Sequence, residues 1–190
     1  MSLNNHFDIL APFYDKVIKP ANITKIETLL NLPISGTLLD AGGGTGRVST
    51  QFTGKASSIF VADLSLPMLR QTIPKSELSP ACTHTEFLPF PRNYFERIII
   101  VDAFHHVCDQ AKTAEELWRV LAPGGRIVVE EPNFHLFGVK MVALAEKIFL
   151  MRSKFLPPEK IQFLFKFKYS NSFIDYDGYN SWIVIDKIKK

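Results

Sequence analysis

The chain is poor in cysteine, with only Cys82 and Cys108 among 190 residues. Two thiols cannot build a zinc site by themselves and need form no disulfide, so no resident metal is expected and a reducing, cytoplasmic setting is. An uninterrupted apolar run of membrane-spanning length is also missing. The longest candidate, Gly138 to Met151, is broken by Lys140, Glu146 and Lys147. Met1 to Ala11 is polar and mixed and lacks the apolar core of an export signal, so no export is expected. Charge of one sign is lacking too: 22 Lys and Arg oppose 19 Asp and Glu, a formal net charge of +3 that is too small to indicate a nucleic-acid partner.

What the chain has in quantity is apolar and aromatic side chains. Hydrophobic residues make up 46% and charged residues 22%, the balance of a globular chain with one good core. Phe occurs 16 times, many of them after Pro89. These can be core, or the lining of an apolar cavity or surface. The basic excess is local: from His135 onward ten Lys or Arg stand against five Asp or Glu.

The most informative stretch is Leu38 to Val48, where an apolar run ending in Asp40-Ala41 meets glycines at 42, 43, 44 and 46. It predicts a buried strand, a tight turn that lets backbone approach a ligand, and a helix over Thr45 to Phe52 whose free amides face that ligand. Before it, Asn4 to Lys19 has helical spacing interrupted by Pro12, and Asn22 or Thr24 can cap a second helix through Leu30. After it, Ser58 to Ala62 reads as a second strand ending at Asp63, placed to accept hydrogen bonds from both hydroxyls of a ribose. Asp63 could instead cap the helix predicted over Leu66 to Ile73, although Ser65 is an equally good cap.

Ala81 to Phe87 is a weaker strand. Tyr94 to Val101 is a strong one, ending at Asp102 and followed by Phe104, His105 and His106. A helix is predicted over Gln110 to Leu121 and a strand over Arg126 to Glu130. Strand and helix therefore alternate, which means a parallel sheet covered on both faces with a ligand crevice outside the carboxyl ends of its strands. Gly42, Asp63, Asp102 and Glu131 all fall on that rim. Beyond it, Phe137 to Met151 and a segment from Pro158 read as helices. Phe173 to Tyr176, the turn pair Asp177-Gly178 and Ser181 to Ile185 read as a hairpin that finishes the sheet with an antiparallel pair.

In Leu38 to Gly46, Val61 to Leu69, Leu88 to Val107 and Leu121 to Glu131 the chain resembles the class I S-adenosylmethionine-dependent methyltransferases, in particular the small-molecule group of the ubiquinone and menaquinone methyltransferases. The resemblance implies an α/β, Rossmann-like sheet of seven mostly parallel strands with the last one antiparallel. It implies one domain over residues 1–190, with an N-terminal helical cap over 1–35 and a helix-plus-hairpin region over 133–190. It also implies S-adenosylmethionine as cofactor and a small-molecule acceptor. Asp40 and glycines 42, 44 and 46 would hold the methionine end, Asp63 the ribose, Leu64 would pack on adenine, and Asp102 and Phe104 would line the sulfonium side. A cationic sulfonium suits a rim of carboxylates, whereas the pyrophosphate of a dinucleotide does not.

Two departures stand out. His84-Thr85 replaces the acid expected near the adenine amino group, which leaves Glu86 or the main chain for that task. Glu96-Arg97 replaces an Asp followed by apolar residues. For chemistry, His105, His106 and Tyr14 are the candidates for a general base, with packing as the alternative for each. The stripe Met141, Leu144, Ala145, Ile148 and Phe149, with Lys140, Lys147, Arg152 and Lys154 nearby, would suit a lipid-like acceptor or peripheral contact with an anionic membrane, or ordinary core. Three rivals remain at this stage. A nicotinamide oxidoreductase is disfavoured by Arg47 where its fingerprint wants Gly or Ala. A non-catalytic binding module that retains the fold is the second, and a nucleic-acid methyltransferase, disfavoured by Asp102-Ala103-Phe104-His105, is the third.

Overall fold

The computed structural model describes residue 11 and residues 21–75, 77–148 and 153–189, with the side chains of 145–148 left out. The helix expected over Asn4 to Lys19, and Tyr14 with it, lies outside the described residues. So do Phe149 and Arg152.

Helix α1 (Ile23–Leu30) is capped by Asn22, whose side chain accepts from the Lys25 amide, and it buries Ile26, Leu29 and Leu30. The strands follow as β1 (Thr37–Ala41), β2 (Ser58–Asp63), β3 (Leu78–Cys82), β4 (Phe95–Val101), β5 (Leu121–Pro132), β6 (Ser170–Asp177) and β7 (Asn180–Lys187). They form one sheet in the order β3-β2-β1-β4-β5-β7-β6. β1 to β5 run parallel, and β7 runs antiparallel to both its neighbours, as the hairpin signal requires. This is the Rossmann-like sheet that the sequence leads one to expect.

Strands buried on both faces must be apolar throughout, and Ile98, Ile99 and Ile100 of β4 are fully buried in turn. Alternation divides them between two cores. One holds Ile98, Ile100, Phe104, Leu117, Val129 and Phe165, and includes the inner face of α3 (Gln110–Val120) and of α5 (Pro158–Leu164). The other holds Ile99, Val128, Trp182 and Val184 beneath α1. Arg126 ties α1 to the sheet, meeting Asp186 through two parallel hydrogen bonds of 2.6 and 2.9 Å and donating to the Leu29 carbonyl at 2.8 Å.

Three local expectations are corrected. No α-helix covers Thr45 to Phe52; turns lead into a 3-10 turn at Ser49–Phe52. Gly44 and Gly46 have φ of 54° and 69°, outside helical values, so the chain cannot wind into an α-helix through them. Helix α2 (Leu66–Arg70) stops short of Ile73, because the chain tightens before Pro74 and the Thr72 hydroxyl donates to the Leu69 carbonyl. β3 comes earlier than Ala81 to Phe87 and contains Pro80, which an edge strand tolerates. Helix α4 (Phe137–Ile148) follows β5 as expected.

Candidate functional site

The parallel strands end on one side of the sheet, and a cleft opens there. It is lined by Asp40, Gly42, Gly43, Gly44, Arg47, Asp63, Leu64, Met68, the run Thr83 to Glu86, Asp102, His106 and Cys108, among others. Of the residues singled out from the sequence, Asp40, Gly42, Gly44, Asp63, Leu64, Asp102 and His106 meet in it. Gly46 lies behind the loop, where a Cβ would come within 2.6 Å of Leu78. Phe104 is fully buried in the core, 6.2 Å from Phe165. His105 is turned inward against Glu131.

The glycine loop is held by its own amides. Gly42 and Gly43 both donate to the Ala62 carbonyl, at 2.7 and 3.3 Å, and Gly46 donates to the Gly43 carbonyl at 2.9 Å. Gly44 donates to Asp63 Oδ2 at 2.9 Å. These amides are spent on the fold, contrary to the expectation of free amides facing a ligand. A cradle for pyrophosphate depends on such donors, and with no α-helix behind the loop there is no helix dipole to add to it. Glycine is required at Gly42 by φ of 74° and by Ala103 Cβ, which an added Cβ would approach to 2.8 Å.

Carboxylates take the place of amides. Asp63 accepts from Gly44 with one oxygen and from the Ser65 amide at 2.7 Å with the other. Ser65 takes the cap of α2, accepting from the Met68 amide, so the capping alternative for Asp63 falls away. Asp40 is buried and accepts from the Ser49 hydroxyl at 2.5 Å; burial, with the Asp63 charge adding to it, pushes its pKa up to about 6. Beneath the rim, burial pushes Glu130 up to about 7, with the charges of Asp102 and Glu131 adding to the effect. Among the residues lining the cleft, four carboxylates, those of Asp40, Asp63, Glu86 and Asp102, stand against the guanidinium of Arg47. That balance favours a nucleoside carrying positive charge over one carrying phosphates.

Two further features complete the cleft, and one of them contains the His84-Thr85 departure and the Glu86 offered in its place. Thr83 to Glu86 form one wall, where Glu86 fixes the next element by accepting from the Asp109 amide at 2.8 Å. Arg47, which served only to disfavour a dinucleotide fingerprint, faces the cleft with a buried Nε that meets no acceptor among the described residues. Its charge acts on both Asp40 and Glu130. Only the position of Arg47 after the glycines could have signalled this. His106 lines the cleft with Nδ1 3.2 Å from the Ser153 hydroxyl; burial, then the neighbouring His105, hold its pKa down to about 3. Among the described residues no cluster of His, Cys, Asp and Glu could hold a metal ion.

Residues 39–129 match the family model described as a methyltransferase domain. The ubiquinone/menaquinone biosynthesis C-methyltransferase UbiE of Yersinia pestis is 35% identical over 104 residues, which is 50% of this chain and 41% of that protein. The chain thus spans less than half the length of that curated relative. A SAM-dependent methyltransferase from Thermotoga maritima superposes with a TM-score of 0.77 at 18% identity, covering 97% of this chain and 99% of that one. A geranyl diphosphate methyltransferase, solved with GPP and sinefungin, superposes at 0.74 with 14% identity over 88% of this chain and 77% of that one. At such identities the two structures speak for the fold.

Proposed function

We propose that this chain, a class I S-adenosylmethionine-type methyltransferase by the domain at residues 39–129, moves a methyl group from S-adenosylmethionine to a small, apolar or lipid-like acceptor. The observation that carries this reading is the pairing of a glycine loop whose amides are already bonded with three carboxylates, Asp40, Asp63 and Asp102, around one cleft. The same observation weighs against a nicotinamide cofactor.

When bound, the cofactor supplies a methyl group on a cationic sulfur, open to in-line attack. The chain's own residues bind and orient. Asp63, with both oxygens already steered by backbone amides, is preorganised to accept from two vicinal hydroxyls. Leu64 and Met68 offer apolar surface to a flat base, beside Thr85 and Glu86. Asp40 and Asp102 face the charged end, and an arriving cation favours the ionised form of Asp40.

His106 has a narrower part than that of a general base. An imidazole held neutral down to about pH 3 takes up a proton poorly, and proton transfer works best near the operating pH. We assign it to hydrogen-bonding the acceptor, positioned by Ser153. An apolar or lipid-like acceptor is supported by the acceptor in the name of one relative, ubiquinone/menaquinone.

The test is calorimetric titration with S-adenosylmethionine and with NAD, on the native protein and on Asp63→Ala. Micromolar-scale binding of S-adenosylmethionine alone is expected, weakened more than about tenfold in the variant by loss of charge-assisted hydrogen bonds. Equal binding of both ligands, or an unaffected variant, would overturn the reading.

A further inference from the structure

Helix α4 presents its apolar side outward. Phe137, Met141 and Leu144 stand three and four residues apart, on one side of the helix, and are 78%, 49% and 51% exposed. Two residues from Phe137, and so turned the other way, Val139 is fully buried and seats the helix on the protein. A surface helix of a globular protein normally does the reverse and hides its stripe. Leu136 and Val142, also exposed, widen the apolar surface.

The surroundings indicate what this surface meets. Tyr179 lies 3.8 Å from the position that a side chain on Gly138 would occupy, and it is half-exposed, as is Tyr176. Tyrosines beside an exposed apolar stripe are the residues that settle at the level of lipid headgroups. Lys140 is exposed on α4 itself, and the sequence of the helix carries Lys140 and Lys147 against Glu146. Glu159 is engaged by hydrogen bonds with His135 at 2.9 Å and from the Tyr176 hydroxyl at 3.1 Å. Apolar stripe, tyrosines and a basic excess together match an anionic lipid surface in both polarity and charge. Among the described residues no helix is long and apolar enough to cross a membrane, so the contact is peripheral.

We propose that α4 is a membrane-docking helix: Phe137, Met141 and Leu144 enter the headgroup region of an anionic bilayer and basic side chains of the same region hold it there. The proposal goes beyond methyl transfer and stands without it. α4 leaves the sheet directly after β5, whose Glu131 holds the chain behind His106, so the docked surface lies next to the cleft's acceptor side.

The experiment is co-sedimentation of the full chain with vesicles of phosphatidylcholine alone and with added phosphatidylglycerol. Two variants accompany it: Met141→Ser with Leu144→Ser, and Lys140→Glu. Each variant is first checked for native circular dichroism and unchanged S-adenosylmethionine affinity, which separates this result from the fate of the cofactor assignment. Binding to the anionic vesicles only, weakened by salt, is expected. The double variant should lose about tenfold or more in affinity, and Lys140→Glu should lose severalfold at low salt only. Failure of the native chain to sediment would overturn the proposal, as would a folded double variant that binds as well. So would a concentration-dependent dimer, seen by light scattering, that the double variant abolishes, since the stripe would then be a contact between copies.

Discussion

His105 and Glu131 form a closed pair: Nδ1 of the imidazole lies 2.6 Å from Oε2 of the carboxylate, and both side chains are shut off from solvent. The other carboxylate oxygen accepts from the Phe104 amide at 2.7 Å and, more weakly, from that of His105 at 3.4 Å. Phe155 stacks on the His105 ring at 4.1 Å between centroids. Glu131 thus fixes the turn after β4 that carries His106 into the cleft. Glu131→Ala should cost roughly 3–5 kcal/mol of stability, because it strands several buried donors at once. Urea unfolding would measure it, and Glu131→Gln should recover a good part of the loss.

Asp40 and Glu130 give the free protein an unusual pH response. Their pKa values rise on folding, from 3.8 to about 6 and from 4.5 to about 7, so the folded state holds protons more tightly than the unfolded state. Their contribution to stability therefore falls as pH climbs through about 4 to 7, by about 3 kcal/mol for Asp40. Asp40→Asn should flatten this slope and stabilise the free protein at neutral pH. Thermal unfolding at several pH values, with and without S-adenosylmethionine, tests both halves: the ligand should stabilise the native chain more as pH rises, and the variant less.

Gly42→Ala places a Cβ at positive φ and against Ala103. The backbone strain alone costs roughly 1–2 kcal/mol, and relief of the contact has to displace the loop from the carbonyl of Ala62. A drop in melting temperature together with weakened cofactor binding is expected in calorimetry.

His106→Asn keeps a hydrogen-bonding group and removes the imidazole. With His106 acting by hydrogen bonding, KM for the acceptor should rise while kcat changes little, and the native pH–rate profile should show no limb that the variant abolishes. A kcat loss of about a hundredfold or more would restore it to the role of base.

Much of this is legible in the sequence. Strand positions follow from apolar runs such as Ile98 to Val101, and the hairpin from Asp177-Gly178, because a buried sheet and a tight turn each constrain residue type locally. Asp63 and Asp102 were legible as strand-end acids. The loop after β1 was not. The glycines announce a turn, yet whether their amides face a ligand or the carbonyl of Ala62 depends on how β2 lies beside β1, a long-range relation with no local signal. His105 and His106 are neighbours in sequence and opposite in role. Only the placement of Glu131, brought up by β5, decides which ring turns inward.

The order of strands also bears on how the chain is made. Among the described residues β6 bonds to no strand but β7, and β7 joins it to β5. Emerging from the ribosome, β6 must wait for residues 180–187 before it can enter the sheet, and until then the edge of β5, with Ile127, Val128 and Val129, stands open. An uncovered apolar strand edge invites pairing with other chains. Nascent chains stalled or cleaved within the Asp177-Gly178 turn should for this reason be the species that chaperones hold and that aggregates collect.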